Sequence, residues 1–297
     1  WKAGLGSTLS ERHGYLNAPI IKDRRSVLLA GRQSLGTRFQ TPTLQSYTTK
    51  IFQSSRITAQ NDTVRAGKAT KAQESHFSDW NVKIMARPLD QLQMSFNYLS
   101  NQNDFSYQLV RPRKALTLTD YINYQGSALR ADMRWSFTEH WATSLAFQEA
   151  RYRYVYTLSQ QYNEDNQYQL DQKNTVSDKT FKWSNSFQPD TSVQVQIGTE
   201  FNLKQVGLYF DEKIANNGGL QFEDTPIGGF TSLYGIVHIN KPRYLVNLGL
   251  RGTNYHELSD WNFSPRLTLS LPLAEKWRLE AGTGTFFQYI NQHENIQ

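Results

Sequence analysis

The 297-residue chain has no cysteine, no long apolar run and only a small excess of positive charge. The absence of cysteine excludes disulfides, cysteine-based zinc sites and thiol nucleophiles. No stretch approaches the roughly 18 apolar residues of a membrane helix, so a helical membrane protein is excluded. The net charge of +6 comes from Lys and Arg spread along the chain and not from a basic run, so no nucleic-acid partner is expected.

Aromatic residues are abundant, at 13% of a chain that is otherwise polar. Many of them lie next to short connectors rich in Asp, Pro, Lys and Asn, which are typical of tight turns. Such clustering matches the girdle of aromatic rings at a membrane interface, whereas a soluble core would spread them along its strands. The aromatic residues near turns are Trp135, Phe137, Trp141, Phe187, Tyr244 and Trp277. The central turn residues are Asp23, Asp90, Glu139, Asp190, Lys241 and Glu275.

On both sides of nearly every turn, apolar and polar side chains alternate with a period of two, which predicts β-strands. One face would carry Phe96, Met133, Trp135, Leu145, Trp183 and Leu269, and the other Asn97, Arg130, Asp132, Arg134 and Arg266. The run from Phe230 to Ile239 is apolar on both faces, so its sides stay unassigned.

Tight turns alternate with connections that are long and polar, at about residues 39–74, 105–125, 156–174 and 207–227. This asymmetry is typical of transmembrane β-barrels, which have short turns at one rim and large loops at the other. The sequence therefore predicts an all-β, antiparallel up-and-down transmembrane β-barrel with about 12 strands in residues 1–297. A soluble β-sheet with one wet face is the alternative.

Several segments resemble one family. Residues 264–267 (SPRL), followed by a hairpin and residues 281–288 (AGTGTFFQ), are similar to a hairpin of TonB-dependent outer-membrane receptors, closest to the versions in Bacteroidota. Residues 16–20 and 26–34 resemble the opening of that barrel, and residues 78–83 its third strand.

The resemblance implies the first part of a barrel of about 22 strands in the bacterial outer membrane. It implies active import of a scarce ligand (iron chelate, glycan, vitamin or peptide), without enzymatic activity and without a cofactor. The partners would be outer-membrane lipid, the protein's own N-terminal plug domain, the TonB energising complex and a surface lipoprotein. No segment of residues 1–297 resembles the plug domain or the remaining strands of such a barrel. Two other functions stay open: a passive porin or structural barrel, and a soluble β-rich adhesin or glycan-binding module.

Charged residues on the polar face are predicted to line the lumen and contact the plug. They are Asp79, Lys83, Arg87, Arg130, Asp132 and Arg134. The connection at residues 156–173 combines aromatic rings and amides, which suit sugars or an aromatic iron chelate. Its candidate ligand-binding residues are Tyr162, Asn163, Asn166 and Tyr168, together with the acidic residues Asp211, Glu212, Glu223 and Asp224 of the next connection. A Ca²⁺ shared by these acidic residues is an alternative. The six histidines show no metal-site spacing, so no metal site is predicted.

Overall fold

In the computed structural model, the described residues form one antiparallel sheet of fourteen β-strands. The structure describes residues 1–8, 10–22, 24–35, 50–52, 70–112, 115–162, 166–214, 218–274 and 277–287. The strands are β1 (Lys2–Ser7), β2 (Glu11–Ile21), β3 (Arg25–Ser34), β4 (Thr70–Leu89), β5 (Leu92–Arg111), β6 (Leu116–Ser136), β7 (Trp141–Tyr162), β8 (Asn166–Asp190), β9 (Val193–Ile214), β10 (Gly218–Asp224), β11 (Ile227–Lys241), β12 (Tyr244–Tyr255), β13 (Asp260–Ala274) and β14 (Trp277–Gly284).

The up-and-down antiparallel topology agrees with the sequence, which predicted about 12 strands where the described residues form 14. β10 lies in residues 207–227, which the sequence indicated as a long polar connection. β10 and β11 follow the same edge of β9 one after the other. Pro226 lies between them, and its missing N–H interrupts the ladder while its carbonyl accepts a bond from the Val206 amide at 3.0 Å. The sheet therefore has thirteen adjacent strand positions.

The tight turns lie together on one rim, as the turn chemistry predicted. Backbone hydrogen bonds join consecutive turns, for example from Arg87 N to Arg24 O at 2.7 Å and from Gln188 N to His140 O at 2.8 Å. Within a turn, the Asp190 carboxylate accepts bonds from the amides of Ser192 and Val193 at 2.6 and 3.0 Å. This confirms the placement of Asp90, Glu139, Asp190 and Lys241, whereas Asp23 and Glu275 lie outside the described residues. We call this side the turn rim.

Three of the four connections predicted as long loops are in fact continuations of the strands. Pairing extends to Arg111 with Leu116, to Tyr162 with Asn166, and to Ile214 with Gly218. β8 alone has 25 residues, more than twice the 9–11 that a tilted strand needs to cross a bilayer. Above the bilayer both faces meet water, so alternation of apolar and polar residues is lost although the backbone ladder continues. Residues 36–49 and 53–69 of the fourth connection lie outside the described part.

The register between strands gives each face a distinct chemistry. One row of paired residues contains Ile84, Phe96, Ala131, Phe147 and Phe181, and further rows towards the turn rim have the same character. We call this side the apolar face and the other side the polar face. All six residues predicted to face lipid lie on the apolar face, and all five predicted to face the interior lie on the polar face.

The register also assigns the strand that the sequence left open. Leu233, Val237 and Ile239 of β11 continue the apolar face, whereas Ser232 and His238 lie on the polar face. Among the described residues there is one sheet, and no second layer covers its apolar face. In a soluble module such a face would be exposed to water without a covering layer, so the soluble alternative does not fit this fold. No helix in the described ranges is long and apolar enough to span a membrane.

Candidate functional site

We call the rows of the apolar face from the turn rim to Phe147 and Phe181 the apolar belt. Hydrogen-bonded ion pairs cover the polar face at the level of this belt. Arg130 binds Asp132 with Nη2 2.8 Å from Oδ1, and Ser95 donates to the same carboxylate at 3.3 Å. These residues come from β5 and β6, whose alternation turns their charged side chains to the same side. Because a carboxylate that loses contact with water needs donors, the pairing keeps the wall charged without leaving Asp132 isolated.

A second group of charges surrounds Glu200, which is 9% exposed. Its Oε2 lies 3.2 Å from Arg251 Nη2 and 3.4 Å from Lys182 Nζ. Arg251 also donates to the Ser232 hydroxyl at 2.9 Å, and that hydroxyl lies 2.9 Å from the hydroxyl of Thr253. The network joins strands β8, β9, β11 and β12 into one polar surface.

Some polar groups on this face have no partner among the residues that the structure describes. Lys83 and Arg134 form no ion pair within the described ranges. The side-chain oxygens of Asn81 and Asn202 are buried and accept no hydrogen bond there. Lys83 and Arg134 are exposed and can contact a further layer that carries acceptors, whereas the two amide oxygens are enclosed by this sheet.

A cleft of about 430 Å³ lies on the polar face between β9, β11, β12 and β13. Asn202, Lys204, Arg251 and Arg266 line it, and the guanidinium of Arg266 lies 4.7 Å from the ring centre of Phe286. Lys204 pairs with Asp178 at 3.4 Å. The cleft is thus polar and cationic, with one aromatic side.

Beyond the apolar belt, away from the turn rim, the polar face becomes aromatic. We call Phe105, Tyr124, Tyr152, Tyr154 and Tyr156 the aromatic wall. Tyr124 has its ring centre 5.2 Å from that of Tyr154, 6.5 Å from that of Tyr152 and 6.4 Å from that of Phe105. These distances are those of packed aromatic pairs. The wall offers flat rings and phenol groups on the side of the sheet that faces the interior.

A buried cluster supports the aromatic wall from the side far from the turn rim. Tyr107, Leu109 and Leu118 are at most 2% exposed, and Phe52, from the connection between β3 and β4, packs on them. The ring centres of Phe52 and Tyr107 are 5.8 Å apart. Part of that connection therefore folds over the polar face of β5 and β6.

The phenols of the aromatic wall stay protonated over a wide pH range. Burial raises the pKa of Tyr154 to about 12, with a contribution from the neighbouring phenols of Tyr124 and Tyr152. Burial and the nearby Asp120 carboxylate, which accepts a bond from the Tyr156 hydroxyl at 2.9 Å, raise the pKa of Tyr156 further. At neutral pH both groups are therefore hydrogen-bond donors and not anions.

The described residues among those predicted for ligand binding lie on strands. Tyr162 ends β7, Asn166 begins β8 and Tyr168 follows on β8, while Asn163 lies outside the described residues. Tyr162 and Tyr168 lie on the polar face, in rows with Leu116 and Leu118. Their contact with a ligand stays a prediction.

The four acidic residues do not come together. Asp211 and Glu223 lie on one face of the β9–β10 hairpin, and Glu212 and Asp224 on the other, since strand neighbours point to opposite sides. Asp211 is bound by Lys213 at 2.9 Å and by the Tyr209 hydroxyl at 3.2 Å. No group of three or more metal-binding side chains occurs in the part of the chain that the structure describes. A shared Ca²⁺ is therefore not supported by this geometry.

The residues predicted for the lumen wall share one side. Asp79, Lys83, Arg130, Asp132 and Arg134 lie on the polar face, and Arg87 lies beside the β4–β5 turn. Asp79 is bound by Arg32 of β3. Their contact with a plug stays a prediction.

The sequence interpretation missed the aromatic wall. Tyr152, Tyr154 and Tyr156 are spaced two residues apart, which would have placed them on one face of a strand. Arg151, Arg153 and the surrounding amides hid this signal, because polar residues there occupy both faces.

Comparison with solved structures gives similarity in fold at low sequence identity. The outer membrane transporter YddB from Escherichia coli matches with a TM-score of 0.56 and 13% identity over 89% of this chain and 36% of its own. A mutant of the ferric enterobactin receptor PfeA from Pseudomonas aeruginosa matches with a TM-score of 0.54 and 13% identity over 95% of this chain and 42% of its own. The ferric citrate transporter FecA matches with a TM-score of 0.54 and 10% identity over 95% of this chain and 43% of its own.

The chain thus spans about two fifths of the length of these proteins. No family model matches the chain, and no curated protein is significantly similar to it in sequence.

Together, the fold and the two faces define the class of protein. The strands match part of a large outer-membrane β-barrel, and the fold resembles the barrels of TonB-dependent receptors. The apolar face meets lipid, the polar face lines the interior, and the chain is located in the bacterial outer membrane.

Proposed function

We propose that these strands belong to a TonB-dependent receptor, which imports a scarce ligand through a barrel closed by its own plug domain. In this proposal the barrel is a rigid wall without enzymatic activity, and the TonB complex of the inner membrane moves the plug. The ligand is an iron chelate, glycan, vitamin or peptide. Two of the matched structures carry ferric chelates in their names, but at 10–13% identity that likeness concerns the fold alone.

The observation that carries the proposal is an open sheet whose polar face has exposed charged residues without ion-pair partners in the described part of the chain. Among the described residues β1 does not pair with β14, so the thirteen strand positions form an open sheet that matches about two fifths of each larger barrel compared above. Barrels of 16 strands or more enclose a channel, and those of about 22 hold a plug. Lys83 and Arg134 are exposed on the polar face and offer cationic groups to such a domain.

The aromatic wall is the proposed place of ligand capture. It lies beyond the apolar belt on the polar face, where an incoming solute arrives before it reaches a plug. Its rings allow stacking on sugar or aromatic groups, and its protonated phenols orient a ligand by hydrogen bonds. The acidic residues of β9 and β10 and the pair Tyr162 and Tyr168 lie around the same rim.

Photo-cross-linking in the full-length protein tests the plug. A benzophenone amino acid placed at Lys83 or Arg134 should cross-link within the chain to plug peptides, identified by mass spectrometry. Placed at the adjacent Ile84 or Met133, on the apolar face, the same group should not reach them. These two positions are matched controls because they differ from the test positions by one residue only.

Conductance in a planar bilayer distinguishes the proposal from a passive porin. A plugged receptor should leave the bilayer nearly non-conducting. A steadily open channel, together with no intramolecular cross-link from position 83 or 134, would favour the porin and overturn the proposal.

A further inference from the structure

Three cations stand on the apolar side of the sheet at the far end of the apolar belt. Arg151 and Arg153 of β7 and Lys179 of β8 share the face of Phe147 and Phe181. Arg151 lies 2.7 Å and Lys179 4.0 Å from the same oxygen of Glu149. We call Arg151, Arg153 and Lys179 the outer cation cluster.

The height of the cluster matches the outer membrane–water interface. Arg151 is ten residues from Trp141 at the start of β7, and Lys179 is eleven residues from Asp190 at the end of β8. A tilted strand crosses the hydrocarbon in about 9–11 residues. The cluster therefore begins where the hydrocarbon ends, and the flexible Arg and Lys side chains can reach the headgroup level.

The charge of the cluster is positive and accessible. Three cations and Glu149 give a net charge of +2, and the side chains of Arg151 and Lys179 are 65% and 48% exposed. Ser127, Gln125, Ser177 and Thr175 pair with Arg151 and Arg153 across the ladder and add neutral hydrogen-bonding groups.

Equivalent heights on neighbouring strands carry no Lys or Arg on this face. The corresponding residues are Ser100 and Gln102 on β5, Ser127 and Gln125 on β6, and Gln205 and Gly207 on β9. Lys173 and Lys213 lie on the same face but farther from the belt, near Asp171 and Asp211. Among β5 to β9 the positive patch is therefore confined to β7 and β8, and Arg12 of β2 is a separate cation in the row of Arg153.

We propose that the outer cation cluster binds the phosphorylated headgroup of a lipid in the outer leaflet, with the acyl chains of that lipid on Phe147 and Phe181. Charge complementarity favours phosphate, because Arg binds it through two parallel N–H groups. Apolar rings directly below the cations favour a lipid over a soluble phosphate. This site depends on the membrane location and not on the presence of a plug.

Lipid binding to the full-length protein, purified in a neutral detergent, tests the site. The probes are lipid A with two phosphates, the same lipid A without phosphates, and inorganic pyrophosphate. The Arg151→Gln/Arg153→Gln variant should bind bisphosphorylated lipid A about 30-fold more weakly than wild type, since each interfacial cation contributes roughly fivefold. A Lys173→Gln/Lys213→Gln variant, which loses the same charge, should bind within about twofold of wild type.

A Glu149→Gln variant should change the affinity for bisphosphorylated lipid A in the opposite direction, by strengthening it. Removing this carboxylate raises the net charge and frees Arg151, so affinity for bisphosphorylated lipid A should increase severalfold. Unchanged affinity in the double arginine variant would overturn the proposal. An equal loss for lipid A without phosphates would overturn the role of phosphate. Pyrophosphate that binds as tightly as lipid A would identify a soluble phosphate, and not a lipid, as the ligand.

Discussion

Replacing Leu145 by Arg should destabilise the folded barrel by about 2–4 kcal/mol, the cost of a cation on the lipid side near the bilayer midplane. Leu145 lies on the apolar face between Met133 and Trp183, four residues from the start of β7. A strand that crosses in about 9–11 residues has its centre near that position. Urea unfolding of the full-length protein, followed by refolding into phospholipid vesicles, measures the change.

The adjacent Ala146→Arg variant is the matched control. Ala146 pairs with Asp132 and Lys182 on the polar face, where the new guanidinium meets water and lies between a carboxylate and an ammonium group. Its cost should stay below about 1 kcal/mol, as for most exposed substitutions. Equal costs for the two variants would show that β7 does not separate a lipid side from a water-filled side.

Replacing Leu118 by Ala should lower the opening free energy of the β5–β6 hairpin, far from the turn rim, by about 2–5 kcal/mol. Leu118 is fully buried among Phe52, Tyr107 and Leu109, so truncation leaves a cavity that its neighbours cannot fill. Hydrogen exchange at the amides of residues 116–123 measures this local stability, because the hairpin can open without unfolding of the barrel.

A Leu250→Ala variant removes the same atoms from the apolar face. Leu250 is 55% exposed, and lipid chains take up the space that the side chain leaves. Its effect on exchange in residues 116–123 should be undetectable. Unchanged protection in Leu118→Ala would mean that the cluster under Phe52 does not hold the hairpin.

The sequence predicted the fold best where lipid imposes a rule on one face only. Phe96 and Asn97, or Arg134 and Trp135, could be assigned to opposite faces because an apolar residue is required outside and a polar one is tolerated inside. This rule could not assign the faces of β11, since Ile236 on its polar face is as apolar as Val237 on the other. Only its register with β9 and β12 resolved the assignment.

The candidate site was harder to predict because it lies beyond the bilayer. There both faces of β7 and β8 are polar, so the segment around Tyr162 and Tyr168 was interpreted as a loop although its pairing is continuous. The contact of Phe52 with Tyr107 is between residues distant in sequence, and no local sequence pattern predicts it. Long-range contacts of this kind set the shape of the aromatic wall.

Spin labels at two adjacent residues of β5 test the central claim, a barrel wall with a lipid side and a lumen side. The chain has no cysteine, so Phe96→Cys and Asn97→Cys each give one labelled site in residues 1–297. In the full-length protein in lipid vesicles, a label at position 96 should collide mainly with oxygen, which is enriched in hydrocarbon. A label at position 97 should collide mainly with a water-soluble nickel chelate. Equal or reversed accessibilities at the two positions would contradict the account.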